Sequence, residues 1–126
     1  MATPYLCILI AWLLCYAPKL VSSAAMAKQP EGYDNKHPRQ QQAKLQGWGA
    51  RAHAAHLNGF EAFAPFAAAV LVAQVGGGDP RRVAMLSIAF VISRVVYIAA
   101  YLADLDYLRS MLWLLGLLAT AALFFA

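Results

Sequence analysis

Charge is what this chain has least of: of its 126 residues 13% are Asp, Glu, Lys or Arg and only 6 are acidic, while 62% are hydrophobic. With a mean hydropathy of +0.56, it falls well below the roughly 25% charged residues of an average soluble domain. That excludes an ordinary soluble domain and points to an integral membrane protein. Cysteine is scarce too. Cys7 and Cys15 lie eight residues apart on one expected helix, about 12 Å along its axis, too far to be joined in a disulfide. No Cys-x-x-Cys or paired Cys/His spacing occurs, so a structural zinc site has no support and no metal is expected. The one glycine run, Gly76-Gly77-Gly78, is followed by Asp79-Pro80 and preceded by no strand, which excludes a phosphate-binding loop. Basic residues do not alternate with exposed aromatics, so the formal charge of +4 reads as membrane topology, and no nucleic-acid partner is expected.

What is present is apolar sequence in four stretches, about residues 4–26, 46–75, 82–103 and 107–126. Each is long enough for the roughly 20 residues that cross a hydrocarbon core. Together they predict a single all-α transmembrane domain over residues 1–126, a four-helix bundle with short connections and antiparallel neighbours. The first stretch ends in Ala25-Met26-Ala27, which has the small-x-small form of a signal-peptide cleavage site. No lysine or arginine precedes it, however, and Lys19 lies late within it, so it is taken as a retained helix. Pro18 is expected to kink that helix.

The connection from Lys28 to Lys44 is the only polar segment of any length and reads as a loop, with turns at Gly32-Tyr33-Asp34-Asn35 and His37-Pro38-Arg39. Lys28, Lys36, Arg39, Lys44 and Arg51 cluster in or next to it, against Arg81 and Arg82 at the second connection. The positive-inside rule therefore places residues 27–45 in the cytoplasm, with both termini opposite. Gly76-Gly77-Gly78-Asp79-Pro80 is a helix stop followed by an N-cap and a proline in the first turn. Asp104-Leu105-Asp106 makes the third turn, with Asp106 expected to cap the last helix.

Within the second stretch, RAHAAHLNGFEAFAPF, charge reappears where it is expensive. At 100° per residue from Arg51, Asn58 falls at about 340°, Glu61 at about 280° and Pro65 at about 320°. They form one narrow stripe, turned away from lipid, with His53, Phe60 and Phe63 opposite and His56 beside them. An ionisable residue in a membrane helix is a functional-site hypothesis by default. The plainer reading is that Glu61 pairs with an arginine on a neighbouring helix and sets the register of the bundle.

Counting 1.5 Å per residue, Glu61 lies about 8 Å inside the membrane if the second span enters it near His56, and Arg94 about 12 Å if the third leaves it near Leu102. Both are measured from the side where Arg109 begins the last helix and where Lys19 lies about 10 Å in. Arg94, Tyr97 and Tyr101 share a helix face. A pocket open to that one side has Arg51, Arg94 and Arg109 against Glu61, which suits an anionic ligand gripped by guanidinium forks. His53 and His56 are read as packing or interface residues.

The segment from Arg51 through Asn58 and Glu61 to Pro65-Phe66, with Arg94-Val-Val-Tyr97, Ala100-Tyr101-Leu102 and Arg109-Ser110, resembles the MAPEG family, the membrane-associated proteins in eicosanoid and glutathione metabolism. The likeness runs over essentially the whole chain, and the short loops and the GYDN…HPR segment are similar to the family's bacterial branch. The resemblance implies a homotrimer in the bacterial inner membrane, with glutathione as cofactor between subunits near the cytoplasmic side. It implies Arg51, Asn58, Glu61, Arg94 and Tyr101 as glutathione contacts and Arg109 as the catalytic residue that stabilises the thiolate. A thiol of pKa about 8.5 is mostly protonated at neutral pH, and a nearby arginine raises its nucleophilic fraction. The implied activity is a glutathione-dependent transferase or peroxidase acting on a hydrophobic electrophile or lipid hydroperoxide that arrives through the bilayer.

Two readings from other classes stand beside it. Four spans and one embedded glutamate also describe a small proton-coupled multidrug exporter, although one-sided placement of the polar groups and three arginines speak against that. The fold would equally serve as a non-catalytic lipid-binding membrane scaffold.

Overall fold

The computed structural model describes residues 1–126 as six helices without a strand: α1 Thr3–Leu14, α2 Ala17–Ala27, α3 Pro38–Ala43, α4 Gly47–Val75, α5 Pro80–Leu102 and α6 Asp106–Leu123. Four helical segments are long and apolar enough to cross a membrane, the first being α1 and α2 taken together, Thr3–Ala27. The protein is thus an all-helical, multi-pass membrane protein.

The break between α1 and α2 has a local cause. Pro18 lies in the first turn of α2, and its ring obstructs the carbonyl four residues earlier while supplying no N–H. Just before it, the Cys15 and Tyr16 amides turn to the Trp12 and Leu13 carbonyls, three residues back, at 3.1 and 3.0 Å. The tightened turn presents the Cys15 carbonyl to α4, where His56 Nδ1–H donates to it at 2.6 Å.

The connection from α2 to α4 is more ordered than a plain loop, since residues 38–43 form α3. Pro38 starts this helix with its φ already fixed. The Asp34 carboxylate accepts from the Lys36 and His37 amides at 3.0 and 2.9 Å. Buried Gln41 braces the segment, accepting from the Asp34 amide at 2.9 Å and donating to the Gly32 and Met26 carbonyls at 2.8 and 3.4 Å.

The two short turns close as Schellman motifs. Gly77 takes φ +74° after α4, and the Gly78 amide bonds the Ala73 carbonyl at 2.8 Å. Asp79 then caps α5 by accepting from the Arg82 amide at 2.8 Å. After α5 the left-handed position is held by Asp104, at φ 61°, and the Leu105 amide bonds the Ala100 carbonyl at 2.9 Å. The cap expected from Asp106 is not formed. Leu105 occupies the N-cap position, with no side-chain cap, and Asp106 lies in the first turn.

The main core joins Cys7 and Ala11 of α1, Phe66 and Val70 of α4, Phe90 of α5 and Leu123 of α6. The Phe66 and Phe90 rings stack with centroids 3.8 Å apart. Lipid is as apolar as these side chains, so close packing rather than hydrophobic transfer holds the helices together, and small residues at the crossings matter. A Cβ on Gly59 would stand 3.3 Å from the Cys15 backbone, and one on Gly49 would stand 2.7 Å from the Ala25 Cβ. Ser87, Ser93 and Thr120 are buried but satisfied, each hydroxyl donating to a carbonyl of the preceding turn.

Candidate functional site

α4 buries Ala52, Ala55, His56 and Gly59 against its neighbours in the half nearest α3, while Glu61 and Pro65 are exposed on the chain and Arg51 and Asn58 are half-buried. The stripe is intact, but it borders the bundle's outer surface, and His56 is drawn inward. Gly49 against Ala25 of α2 and Gly59 against Cys15 at the α1–α2 break let the chain approach α4 closely, which fixes the rotation of α4 about its axis.

Arg94, from α5, is only 4% exposed. Its guanidinium carbon lies 4.0 Å from the centroid of the Tyr97 ring. Tyr97, itself buried, meets Tyr101 edge to face at 5.6 Å, and the Arg109 guanidinium of α6 covers the Tyr101 ring at 4.6 Å. Two arginines from different helices thus bracket a pair of phenols. Tyr97 is an interior residue, whereas Tyr107 is almost fully exposed. Arg51 reaches across from α4, its Nη2–H donating to the Leu102 carbonyl at 3.4 Å. Asn58 Nδ2–H donates to the Glu61 carboxylate at 3.5 Å.

Glu61 and Arg94 lie on the wall of one cavity of about 150 Å³ between α4, α5 and α6, with Phe90 and Trp113 beside them. Arg109, Tyr101, Arg51 and Asn58 lie outside its lining, nearer the α5–α6 turn. Arg94 also borders a much smaller void against Cys15 and Gly59. Glu61 has no basic side chain within ion-pair distance; the one such contact in the chain is His37 Nδ1 to Asp34 Oδ2, 3.7 Å apart. The reading in which Glu61 merely locks to an arginine of a neighbouring helix therefore has no support within the chain.

Several buried polar atoms lack any partner: Arg94 Nη2, Arg51 Nε, Asn58 Oδ1 and His53 Nδ1. Buried polar groups are nearly always satisfied, and an unmatched guanidinium is the costliest of these to leave alone. Arg51, Arg94 and Arg109 supply donors for carboxylates, while Glu61 and Asn58 Oδ1 supply acceptors for an ammonium group. The donor set therefore suits an anionic ligand that also carries a cationic group.

Sequence reasoning missed the cavity's far wall. Trp113, Gly116, Leu117 and Thr120 line it, and with Arg109 they recur at three- and four-residue steps along one face of α6. That spacing was a readable signal.

Comparison with known proteins gave two results. The sequence profile of the MAPEG family matches residues 3–126. No curated protein matches the chain.

Proposed function

Because the chain belongs to the MAPEG family, we propose that it is a membrane-embedded, glutathione-dependent transferase or peroxidase whose cosubstrate is a hydrophobic electrophile or lipid hydroperoxide. The observation that carries this reading is Arg94: a guanidinium buried at membrane depth, Nη2 unpartnered and no carboxylate paired with it. A buried cation without a counterion is strongly destabilising, so Arg94 is kept for an anionic ligand. Glutathione, when bound, supplies the thiol. Arg51, Asn58, Glu61, Arg94 and Tyr101 hold its charged ends, Glu61 and Asn58 taking the ammonium and the arginines the carboxylates. Arg109, fixed over the Tyr101 ring, places positive charge where a sulfur anion develops and lowers the proton affinity of that sulfur.

In this reading the protein is a homotrimer in the bacterial inner membrane, with residues 27–45 in the cytoplasm and the cosubstrate entering from the bilayer. A cation exporter fits less well. Such a transporter needs a carboxylate free of cations and reachable from both sides, whereas Glu61 shares its cavity with Arg94.

The test is calorimetric titration of glutathione into the detergent-purified protein and its Arg94→Ala variant. Saturable binding weakened at least about tenfold in the variant is expected, the size of one or two charge-assisted hydrogen bonds. Absence of binding to the wild type would refute the proposal.

A further inference from the structure

The segment between α2 and α4 is a braced platform and not a slack connection. Ala25, Met26 and Leu45 make a small core of their own, with Ala50 packed against it, and Gln41 ties the turn at Gly32 to the end of α2. Gln42, also buried, accepts from Arg39 Nη1–H at 3.2 Å and so holds the direction of that guanidinium. On this frame Lys28, Lys36, Arg39 and Lys44 are all exposed. Not one of them has a carboxylate within ion-pair distance. Of the two acids in the segment, Asp34 is taken up by the Lys36 and His37 amides, which leaves exposed Glu31 against four unpaired cations. Membrane topology asks only that positive charge lie on one side, and a slack loop would meet that demand. An ordered frame that holds its cations clear of every acid is a surface for an anionic partner.

The level of this surface in the membrane decides what the partner is. α4 has 29 residues, about 43 Å at 1.5 Å per residue, which matches the roughly 40–45 Å of a bilayer counted with its headgroups. The first turn of α4 therefore stands among the headgroups, and Trp48, exposed there, has the place usual for an interfacial tryptophan. The Lys28 ammonium lies 5.5 Å from the centre of that ring, at the same level. We propose that residues 28–48 form a docking surface for the anionic phospholipid headgroups of the adjoining leaflet, whose phosphates meet Lys28 beside Trp48, Arg39 on its Gln42 support, and Lys44. Each lysine or arginine near an anionic leaflet is worth about a factor of five in binding. The attraction fades within about 8–10 Å in physiological salt, so charges held at headgroup level feel it and charges on a long mobile loop would not. The opposite end of the bundle offers only Arg81 and Arg82, with Asp79 next to them. This surface lies apart from the cavity between α4, α5 and α6, and the proposal stands whether or not glutathione is the ligand there.

The experiment is native mass spectrometry of the detergent-purified protein with equal amounts of phosphatidylglycerol and phosphatidylcholine of identical acyl chains, so that only the headgroup differs. Lys28→Gln, Arg39→Gln and Lys44→Gln are made singly and together, and the double variant Arg81→Gln, Arg82→Gln is the control at the other end of the bundle. The wild type is expected to retain phosphatidylglycerol at least about fivefold more tightly than phosphatidylcholine. Each single variant should lose part of that preference and the triple variant nearly all of it, while the control keeps it. Raising the ammonium acetate concentration should weaken it in the wild type. The three side chains are exposed, and a thermal melt without added lipid checks that the triple variant is folded; the single variants decide the matter should it not be. Equal retention of the two lipids by the wild type overturns the proposal and leaves the unpaired cations to an acidic partner in solution. A preference that survives in the triple variant, or that falls as far in the control, overturns it as well.

Discussion

Arg94 is kept where physical chemistry would remove it. Its contact with the Tyr97 ring at 4.0 Å is worth about 2 kcal/mol at best when desolvated, less than the several kcal/mol it takes to bury an ion. Exchanging the guanidinium for an apolar side chain of similar length should therefore stabilise the empty protein. Arg94→Met is expected to melt at the same temperature as the wild type or higher, a gain of up to about 4 kcal/mol, while losing the stabilisation that glutathione confers on the wild type. Thermal melts with and without glutathione check both parts, and a variant that melts lower than the wild type without ligand would make Arg94 a structural residue. At this scale the sequence was informative in angles and silent in direction. The wheel put Arg51, Asn58, Glu61 and Pro65 on one stripe, but a wheel has no absolute orientation. The rotation of α4 was set by Gly59 against the Cys15 backbone and by the His56 hydrogen bond, contacts between segments some 40 residues apart that no local pattern encodes.

Elements show the same division between local and non-local information. Asp79 as N-cap and the glycine run at 76–78 as a helix stop were legible because capping depends on adjacent residues alone. Pro18 signalled the division of the first span for the same reason. The short helix α3 was less legible, because Gln41 sits in a run of three glutamines and only its bonds to Met26, Gly32 and Asp34 distinguish it. Asp104 illustrates a strain that sequence did not announce: it holds φ 61° where glycine is the usual occupant. Aspartate tolerates this conformation better than most residues, yet its Cβ is still a liability. Asp104→Gly should raise stability by up to about 1 kcal/mol, and Asp104→Val should lower it by about 1–2 kcal/mol. Chemical or thermal unfolding in detergent measures both; an unchanged Val variant would mean that this turn relaxes without consequence.

At the scale of the whole molecule the polar groups set orientation and assembly. Residues 28–44 hold Lys28, Lys36, Arg39 and Lys44, and Lys28 lies 5.5 Å from the Trp48 ring at the start of α4, a pairing suited to the membrane surface. A cysteine placed at exposed Lys36 should react with an impermeant maleimide only after cells are opened; both native cysteines are buried and give little background. Labelling of intact cells would invert the proposed topology. Glu61 supplies the argument for assembly. It is exposed on the chain at membrane depth, and a charged side chain facing hydrocarbon is costly, approaching about 2.5–3.5 kcal/mol at the bilayer centre. No segment of the chain covers it, so a second copy is the natural cover, and a ring in which one face of each subunit meets a different face of the next closes without leaving a polar face toward lipid. Native mass spectrometry should then find three chains of 13.7 kDa in the wild type. Glu61→Lys, which adds a fourth cation beside Arg51, Arg94 and Arg109, should shift the population toward single chains. A wild type that flies as a monomer from every mild detergent would overturn the ring, and an unaffected Glu61→Lys trimer would mean that the interface lies on a face other than the one carrying the stripe.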